Sequence, residues 1–490
     1  MREELRFLLG HEARVLTRVD PTMTVLDYLR RVEGLVGTKE GCNEGDCGAC
    51  TAVRVRLDGG RPRYEAINTC IQLLGSLDGC QLLTVEHLAE ADGSLHPVQQ
   101  AMVECHGSQC GFCTPGFVMS LFALTRNSET APVEDEIDDA LAGNLCRCTG
   151  YAPIVRAAQQ SFERGPRRDH IAAREVETRE ALGALQDEQT LGVGEGGRRF
   201  FAPATAEALA ALLTEFPDAT IVAGTTDVGL WITKELRQLD TLVYLGRIGE
   251  LARVEETAAG LEIGAVASYT DAAAALARHY PDMGEVVRRL GSVQIRNAGT
   301  LGGNIANGSP IGDSPPLLIA AGATLHLRRG QARRSLALED FFIDYGKQDR
   351  QPSEFVEKIT VPLPPPGSRF RAYKISKRFD QDISAVLGAF QLRFDGGQVA
   401  EARVAYGGMA ATPKRARAVE AAVTGAAWDE ATVERAMAAL ERDFAPISDW
   451  RASAGYRLQV AKNLLRRLHI ETSDPAAETR LAGDRALAHG

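Results

Sequence analysis

Three cysteines lie within nine positions of one another in the segment GCNEGDCGAC, residues 41–50. Four residues separate Cys42 from Cys47, two separate Cys47 from Cys50, and Cys70 follows after nineteen intervening residues. Four thiolates with this spacing are typical of a protein segment that binds a 2Fe–2S cluster. The glycines between them fit such a loop, because they adopt positive φ angles and let backbone N–H groups approach sulfur. A structural zinc site is the alternative, although zinc usually takes two cysteines from each of two separate turns.

A second group of four cysteines follows, as the pairs Cys110 with Cys113 and Cys146 with Cys148. Each pair runs through Thr and Pro into an amphipathic segment, which predicts two helices that begin beside the cysteines. The positive N-terminal ends of these helices would offset thiolate charge at a shared metal centre. Two further segments, each opened by Pro and closed by Gly, predict two more helices and hence a four-helix domain. Zinc is again the alternative for this group taken alone.

The other cysteines, and the histidines near them, lack ligand-like spacing. We predict that Cys80 and Cys105 are small buried residues without a metal, and that His96 and His106 are structural. All ten cysteines lie within residues 42–148, and the rest of the chain has none. This distribution favours metal binding over a disulfide framework.

The composition excludes several classes of protein. The chain has 490 residues and a net charge of −10, so we expect several domains and no nucleic-acid partner. The first residues, MREELRFLLG, are charged where a signal peptide has an apolar run. The apolar segment PLLIAAGATLHL at 316–327 is too short to span a bilayer. We therefore predict a soluble, cytoplasmic protein without a membrane partner.

Residues 165–198 form a charged segment with few apolar residues, which predicts a connector that crosses the surface between domains. Within it, GVGEGG at residues 192–197 matches the dinucleotide-binding pattern G-x-G-x-x-G. That pattern binds a dinucleotide when a strand precedes it and a helix follows it. Neither is predicted here, so we interpret the match as accidental.

Two later segments have the character of a phosphate-binding site. ATIVAG predicts a strand that ends at Gly224, and residues 224–227 (GTTD) would present successive N–H groups and hydroxyls to a pyrophosphate. The second segment, GTLGGNIANGSPIGDSPP at residues 299–316, is too polar and glycine-rich for a core element. Loops of this kind usually carry function.

A proline-rich segment at residues 361–367 marks a further boundary. Three strand-like stretches follow it, at 370–376, 384–394 and 399–406, and helical patterns extend from Lys414 to about Leu468. The tail after Thr472, rich in Ala, Glu and Arg, is predicted to be frayed.

Three segments resemble the iron–sulfur portion of the molybdenum hydroxylase family: GTKEGCNEGDCGACTAV at 37–53, QCGFCTPG at 109–116 and GNLCRCTGY at 143–151. The resemblance covers residues 1–160 and implies that both groups of cysteines bind 2Fe–2S clusters. It also implies that Gln109 and Cys148 lie nearest the pterin of a molybdenum cofactor. The cluster of the four-helix domain would then accept electrons first, and the cluster at Cys42 second.

The two candidate phosphate-binding segments resemble the FAD domain of the same family, which is related to flavoproteins of the vanillyl-alcohol-oxidase type. The resemblance implies that one segment wraps the pyrophosphate, that the other lines its opposite side, and that Asp313 holds a ribityl or ribose hydroxyl. Lys374 corresponds to a lysine near the flavin ring, Val356 to an apolar flavin contact, and Leu290 to a stacking aromatic residue of some relatives. The aliphatic side chain of Leu290 departs from that pattern. The complete set of flavin candidates is Val222, Ala223, Gly224, Thr225, Thr226, Asp227, Val228, Gly229, Leu290, Thr300, Leu301, Gly302, Gly303, Asn304, Asp313, Val356 and Lys374.

The elements and the resemblance together predict a multidomain α+β protein. A β-grasp, plant-type 2Fe–2S ferredoxin domain is expected at residues 1–90, a helical 2Fe–2S domain at 91–164 and the linker at 165–198. An α+β FAD-binding domain is expected at residues 199–366, followed by a C-terminal subdomain of sheet plus helices at 367–475.

This combination of groups predicts an electron conduit. A 2Fe–2S cluster moves one electron at a time, whereas a flavin exchanges electrons singly or in pairs, so it links clusters to NAD. The order of the modules resembles the small subunit of the purine-oxidising branch of the family, whereas several other branches place these modules on different chains. This implies a large molybdopterin-binding partner subunit that converts hypoxanthine to xanthine and xanthine to urate, in a heterotetramer of two small and two large subunits. On this interpretation the chain itself holds no substrate residue, and NAD is the final acceptor.

Two alternatives remain at this stage. The chain could serve another molybdenum hydroxylase, one that oxidises an aldehyde or an N-heterocycle. It could also be a free-standing iron–sulfur flavoprotein that oxidises NADH. Gln109 favours the first class, because a carrier without a pterin partner has no need of it.

Overall fold

The computed structural model describes residues 1–163, 165, 169–474, 476, 477 and 479. Within these residues the chain forms two compact units. The first contains residues 1–249 and 291–299, and the second contains residues 250–290 and the described residues from Thr300 onward. Both units combine sheets with helices, which confirms the predicted multidomain α+β fold class.

The N-terminal part of the first unit is a five-stranded mixed sheet. A helical turn, Val25–Asp27, is capped by Thr24 and continues as the π-helix Tyr28–Val32. Apolar residues of the sheet and of this helical segment form one core. The predicted strands before Gly10 and after Cys50 are confirmed, as is the helical turn. In chain order the strands are Leu5–Leu9, Glu12–Leu16, Thr51–Asp58, Arg61–Asn68 and Gln81–Leu83, and their order in the sheet is second, first, fifth, third, fourth. Two 3₁₀ turns, Leu74–Leu77 and Val85–His87, complete this part.

The four predicted helices follow and are confirmed. Pro97, Pro115 and Pro153 lie in first turns, where the missing N–H has no intrahelical partner to lose. The second helix is buried along most of its length and supplies the apolar centre of this part. The helices are Pro97–Glu104, Thr114–Asn127, Glu134–Leu141 and Ala152–Glu163.

The segment 165–198, predicted to be a connector on the surface, contains two helices that pack against the four-helix part. Residues 170–185 form the helices His170–Ala173 and Glu175–Leu185, which bury Ile171 and Leu182 in the core of the four-helix part. Few apolar residues are needed for this packing, because each short helix buries one face and exposes its charged faces to solvent. Residues 164 and 166–168 lie outside the described residues.

The G-x-G-x-x-G match lies in a β-hairpin. Its first residues belong to the strand Leu191–Glu195, and Gly196 and Gly197 turn the chain with φ of 62° and 85° into the strand Arg198–Ala202. Positive φ at both central residues is the geometry of a tight hairpin turn. A strand precedes the turn, contrary to expectation, but a strand rather than a helix follows it, so the segment lacks the strand-to-helix geometry of a dinucleotide site.

The remainder of the first unit is a four-stranded sheet with short helices. The hairpin strands continue through Thr241–Tyr244 to Thr220–Val222. The helices Ala206–Glu215 and Val228–Thr233 belong to this part, and the helix Val293–Ala298 joins the same unit from far along the chain.

The second unit begins with a five-stranded antiparallel sheet, ordered Val254–Thr257, Gly260–Gly264, Phe355–Val361, Thr324–Arg329 and Ala332–Ala337. One face packs against helices in a continuous apolar core. The helices are Tyr269–His279, Pro281–Arg288, Leu301–Asn307, Ser314–Ala321 and Leu338–Phe341, and a small hairpin joins Phe342–Asp344 to Lys347–Gln348.

The C-terminal part of the second unit is a four-stranded antiparallel sheet with three helices. The three predicted strands are confirmed, and a short fourth strand occupies the start of the predicted helical region. The strands are Ser368–Ile375, Val386–Asp395, Gln398–Gly407 and Lys414–Arg415, and the helices are Arg417–Val423, Glu430–Asp443 and Ala454–Ser473. In the tail predicted to be frayed, residues 475, 478 and 480–490 lie outside the described residues. No helix in the described part of the chain has the length and hydropathy of a membrane span.

A buried carboxylate joins the start of the misread connector to the four-helix part. Asp169, whose side chain is 1% exposed, accepts hydrogen bonds from His96 Nε2 at 2.9 Å, from Arg126 and from the amide of Ala172. Burial opposes its ionisation, but the hydrogen bonds from His96 and Arg126 hold the pKa of Asp169 well below its ordinary value.

We predict that Asp169→Ala lowers the free energy of unfolding by about 3–5 kcal/mol, because it removes the carboxylate of a buried ion pair with Arg126. Urea denaturation followed by circular dichroism measures this change. A carboxylate with a depressed pKa stabilises the fold above its unfolded-state pKa, so the deficit should shrink as the pH falls below 3.8. Asp92→Ala, in an exposed loop, is the control. Equal urea midpoints for the two variants would contradict the prediction.

Candidate functional site

The first group of cysteines forms two thiol pairs. Backbone amides of Asp46 and Cys47 donate to Cys42 Sγ at 3.4 and 3.3 Å, and the amide of Cys42 donates to Cys47 Sγ at 3.3 Å. The thiols of Cys42 and Cys47 are neighbours, as are those of the buried Cys50 and Cys70. The loop therefore points its N–H groups at sulfur, as the glycine pattern predicted.

Two glycines are required in this loop by space as well as by conformation. A Cβ at Gly41 would lie 2.7 Å from Cys47 Sγ. Gly48 has a φ of +70°, and a Cβ there would lie 2.1 Å from the carbonyl oxygen of Gly143. Any side chain at these positions would push the sulfur atoms or the neighbouring backbone apart.

The second group also forms two pairs of neighbouring thiols, Cys110 with Cys148 and Cys113 with Cys146. Cys113 is the N-cap of the helix Thr114–Asn127, and the other two ligand candidates precede the helix Ala152–Glu163. The helix Thr114–Asn127 thus begins at one of the paired thiols, as predicted, and the partial positive charge of a helix N-terminus favours thiolates.

Several thiol pKa values are shifted in these loops. The hydrogen bond from the Cys47 thiol, with backbone N–H groups beside it, lowers the pKa of Cys42 to about 5. Burial opposes ionisation of Cys146, but the hydroxyl of Thr149, 3.2 Å from its sulfur, and backbone N–H groups lower its pKa. Burial raises the pKa of Cys113 to about 12. One thiol of each of these pairs is therefore prepared to be a thiolate ligand.

The pairing of the thiols can be compared with the ligand requirements of zinc and of a 2Fe–2S cluster. A structural zinc ion needs four ligands that converge on one point, at about 2.3 Å for sulfur. A 2Fe–2S cluster instead spreads four thiolates over two iron atoms, and two pairs of thiols match that requirement. Both donor sets therefore fit a 2Fe–2S cluster.

Cys80 and Cys105 have other partners. Cys105 donates to Gln160 Oε1 at 2.7 Å, and Cys80 lies 3.8 Å from the carbonyl oxygen of Asp78. Burial raises the pKa of the Cys80 thiol to about 11, which disfavours a thiolate. Gln109, the predicted pterin neighbour, is exposed beside Cys110.

The first candidate flavin segment, residues 222–229, lies in the first unit and contacts the residues that follow Cys70. The side-chain Nε2 of Gln72 donates to the carbonyl oxygen of Gly224 at 3.1 Å, and a Cβ at Gly229 would lie 2.6 Å from the carbonyl oxygen of Ile71. Thr225 is buried and has a φ of 60°, a left-handed conformation that is rare for a β-branched residue. Backbone strain of this kind concentrates at ligand sites.

The other flavin candidates lie in the second unit. Thr300 caps the helix that begins at Leu301 by accepting from the amide of Gly303 at 3.1 Å. Asn304 Oδ1 accepts from the hydroxyl of Ser314 at 2.6 Å. Val356 is buried in the core of the unit, with Leu290, Leu301 and Gly302 close to the same core.

Asp313 and Lys374, predicted to act separately, form a buried ion pair. Lys374 Nζ lies 2.5 Å from Asp313 Oδ2, and the hydroxyl of Ser384 donates to Asp313 Oδ1 at 2.6 Å. Their side chains are 6% and 1% exposed, so neither charge is shared with solvent. The pair is a charge-assisted contact that fixes both candidates at one place.

Several polar residues beside these candidates were not predicted from the sequence, namely Thr51, Gln72, Gln294 and Ser384. Their side chains reach the cysteine loops, the first flavin segment or Asp313. The one sequence signal for Gln72 was its place, two residues after the ligand candidate Cys70. Gln294 had no signal, because its partners are more than 140 residues away in the sequence.

Four parts of the chain match known domain families. Residues 11–71 match a 2Fe-2S iron-sulfur cluster binding domain, and residues 84–159 match a second [2Fe-2S] binding domain. Residues 195–364 match the FAD binding domain in molybdopterin dehydrogenase, and residues 371–472 match the CO dehydrogenase flavoprotein C-terminal domain. The predicted presence of two 2Fe–2S domains and an FAD-binding domain is confirmed.

Individual relatives resemble different lengths of the chain. Xanthine dehydrogenase of Emericella nidulans is 33% identical, over 90% of this chain and 36% of that protein, so the chain spans about a third of this relative. Reconstituted CO dehydrogenase from Oligotropha carboxidovorans has 30% identity and a TM-score of 0.52, over 54% of this chain and 94% of the matched chain. Quinoline 2-oxidoreductase from Pseudomonas putida has 26% identity and a TM-score of 0.52, over 56% and 96%.

We predict about four iron atoms per chain in the wild-type protein, two for each group of cysteines. Cys47→Ser and Cys113→Ser should each retain about two, because each removes a ligand from one group only. Iron analysis and electron paramagnetic resonance of the reduced protein measure both outcomes. Cys105→Ser, which changes a thiol bonded to Gln160, is the matched control and should retain about four. A wild-type content of about two irons would contradict the two-cluster assignment.

We predict that Asp313→Ala weakens FAD retention roughly ten- to a hundredfold, the equivalent of a charge-assisted hydrogen bond of about 1.5–3 kcal/mol. Flavin fluorescence after dialysis measures the loss. Glu401→Ala, which removes an exposed ion pair with Arg393, is the control and should leave retention unchanged. The double variant Asp313→Ala, Lys374→Met avoids an unpaired buried cation; if it retains FAD like the wild type, the role of Asp313 in binding is refuted.

Proposed function

The chain belongs to the molybdenum hydroxylase family and carries its two 2Fe–2S domains and its FAD domain, and from this premise we propose that it is the electron-transfer subunit of a xanthine dehydrogenase. On this proposal a large molybdopterin-binding subunit hydroxylates hypoxanthine and xanthine, and the electrons pass through the two clusters to FAD and on to NAD. The proposed assembly is a cytoplasmic heterotetramer of two small and two large subunits. Catalytic contact with the purine belongs to the partner.

The extent of the similarity supports this proposal over the other members of the family. The xanthine dehydrogenase relative aligns with 90% of this chain, iron–sulfur and flavin parts alike, within one polypeptide. The matched chains of CO dehydrogenase and quinoline 2-oxidoreductase align with only 54% and 56% of it. The joining of both cluster domains to the flavin domain is therefore the observation that carries the proposal.

The surface around the second group of cysteines supports docking of a molybdenum partner. Cys110 and Cys148 are exposed, although cysteines are among the most frequently buried residues. Three large apolar side chains of the same loops, Phe112, Leu145 and Tyr151, are 47%, 43% and 41% exposed. Apolar side chains grouped around a candidate metal centre are typical of an interaction surface. We propose that the partner covers them and brings its pterin near Gln109.

The residues of this chain then have defined tasks. The paired thiols bind the clusters, and the loop N–H groups that point at Cys42 and Cys47 offset part of the negative charge. Residues 222–229 would bind the FAD pyrophosphate through backbone N–H groups, and the Asp313–Lys374 pair would orient the flavin. The flavin, when bound, accepts single electrons from the clusters and gives a hydride to NAD.

A different substrate is the second candidate. The structural similarity to quinoline 2-oxidoreductase favours an N-heterocycle such as quinoline. An enzyme for that substrate would use this chain in the same way, as the electron acceptor of its molybdenum subunit. The substrate site lies on the partner in either case. The complete enzyme distinguishes the candidates by which compound, xanthine or quinoline, bleaches its absorbance, and a chain that purifies without molybdenum would instead support a free-standing NADH-oxidising flavoprotein.

We predict that the chain alone, with its cofactors, reduces dyes with NADH but shows no bleaching with xanthine. In the complex with the molybdenum subunit, Cys110→Ser should block electron flow from xanthine to NAD and leave the NADH-to-dye activity near wild type. The reason is that the flavin lies downstream of the interrupted cluster. Stopped-flow absorbance measures bleaching, and steady-state assays measure both activities.

Cys80→Ser provides the control for this experiment, since Cys80 belongs to none of the four thiol pairs. Equal loss of both activities in Cys110→Ser, with FAD still bound, would contradict a linear order of clusters and flavin. Reduction of the isolated chain by xanthine would contradict the assignment of the substrate site to a partner.

A further inference from the structure

The two cysteine loops meet at one backbone hydrogen bond. The amide of Leu145 donates to the carbonyl oxygen of Cys47 at 3.0 Å. Cys47 belongs to the first group of thiols, and Leu145 directly precedes Cys146 of the second. A ligand candidate of one cluster is thus joined to a ligand candidate of the other by covalent bonds and a single hydrogen bond.

A buried polar cluster holds the loops beside this bond. The side-chain amide of Asn144 donates to the carbonyl oxygen of Gly48 at 3.1 Å, and the hydroxyl of Thr51 donates to the same oxygen at 2.7 Å. Ser120 donates to Asn144 Oδ1 at 2.6 Å. All of these side chains are at most 3% exposed. Residues from the first loop, the second loop and the helix Thr114–Asn127 therefore share one network.

Gln294 enters this network from a distant part of the sequence. Its Nε2 lies 3.1 Å from Thr51 Oγ1, 3.2 Å from Ser120 Oγ and 3.1 Å from Asn144 Oδ1. The residue is 1% exposed and belongs to the segment 291–299, which joins the first unit although its neighbours on both sides belong to the second. Gln294 contacts all three polar side chains, and Asn144 likewise contacts Thr51, Ser120 and Gln294.

The surrounding backbone leaves no space for adjustment. A Cβ at Gly116 would lie 2.2 Å from the carbonyl oxygen of Gly48, and a Cβ at Gly143 would lie 2.1 Å from Gln294 Oε1. Because main chains touch at this point, the network sets the distance between the two loops directly. Buried hydrogen bonds of this kind restrict the arrangement of the groups that they join, although Gln294 Oε1 itself is buried without a hydrogen-bond partner.

We propose that Gln294 is a positioning residue that fixes the two cysteine loops against each other and thereby sets the electronic contact between the two clusters. The inference rests on the proposed function, in which both groups of cysteines carry clusters. This contact would serve the transfer of one electron between the clusters. The cluster of the Cys146 group would lose the electron, the cluster of the Cys47 group would gain it, and no proton would move and no bond would form or break. The residue touches neither metal group, and it acts through Thr51, Ser120 and Asn144.

The test uses Gln294→Met in the full chain with its clusters and FAD. Methionine retains the volume and removes every hydrogen bond, so the loops should open locally. Hydrogen exchange at the amide of Leu145 should accelerate about tenfold, which corresponds to about 1.4 kcal/mol. Electron paramagnetic resonance of the fully reduced protein should show weaker magnetic coupling between the clusters, and electron transfer between them should slow, with iron content unchanged.

Gln81→Met is the matched control. Gln81 is also buried in the first unit and donates to the carbonyl oxygen of Gly10 at 2.8 Å, outside the network. It should lower thermal stability without changing the Leu145 exchange rate or the magnetic coupling. Should Gln294→Met fail to fold, Ser120→Ala, which removes one hydroxyl from the same network, should produce the same changes to a smaller degree.

Magnetic coupling and Leu145 exchange equal to those of the wild type, in Gln294→Met or, where that variant does not fold, in Ser120→Ala, would overturn the inference. The proposed function fails in a different way. A wild-type chain that lacks one of the two cluster signals refutes the proposed function before any variant is compared.

Discussion

The carbonyl oxygen of Cys47 accepts a hydrogen bond from the amide of Leu145, and here two loops approach as closely as their backbones allow. Gly48 and Gly116 lie where a Cβ would collide with main-chain oxygen atoms. The loops cannot separate without exposing the buried side chain of Asn144, nor come closer without a steric clash. Much of the first unit follows from this contact: the helix Thr114–Asn127 begins beside it, and the thiol pairs lie on either side of it.

The first flavin segment is attached to the same region. Gln72, two residues after Cys70, binds the carbonyl oxygen of Gly224, and the backbone of Ile71 leaves no room for a side chain at Gly229. Cluster loop and candidate pyrophosphate loop therefore belong to one packed unit. The boundary between the compact units does not follow the boundary between cofactor domains, because residues 291–299 pack with the cysteine loops. Contacts, rather than chain order, define the units.

Buried charges are compensated within each unit. Asp169 is held by His96 and Arg126 in the first, and Asp313 is held by Lys374 and Ser384 in the second. Transfer of a charge out of water is costly unless a partner replaces the solvent. Such pairs therefore constrain the position of both members. For Asp313 and Lys374, this constraint places two flavin candidates from separate parts of the sequence in direct contact.

The amino-acid sequence by itself determined the features that depend on near neighbours along the chain. The cysteine spacings, the glycines between them, the prolines that open helices and the alternation of the strands are local, and the helices and the fold class that they predicted are present. The packing of the segment at 170–185 was not predicted, because only the tertiary structure shows that its two buried residues, Ile171 and Leu182, belong to the core of the four-helix part.

Only the tertiary structure decided which thiols pair, that Asp313 meets Lys374, and that Gln294 reaches both cysteine loops. The physical reason is sequence separation. Gln294 and Thr51 are 243 residues apart, and no periodicity or local propensity encodes a hydrogen bond over that distance. Such contacts form because packing of the apolar cores brings distant segments together, and a buried polar group then hydrogen-bonds to the side chains that lie next to it.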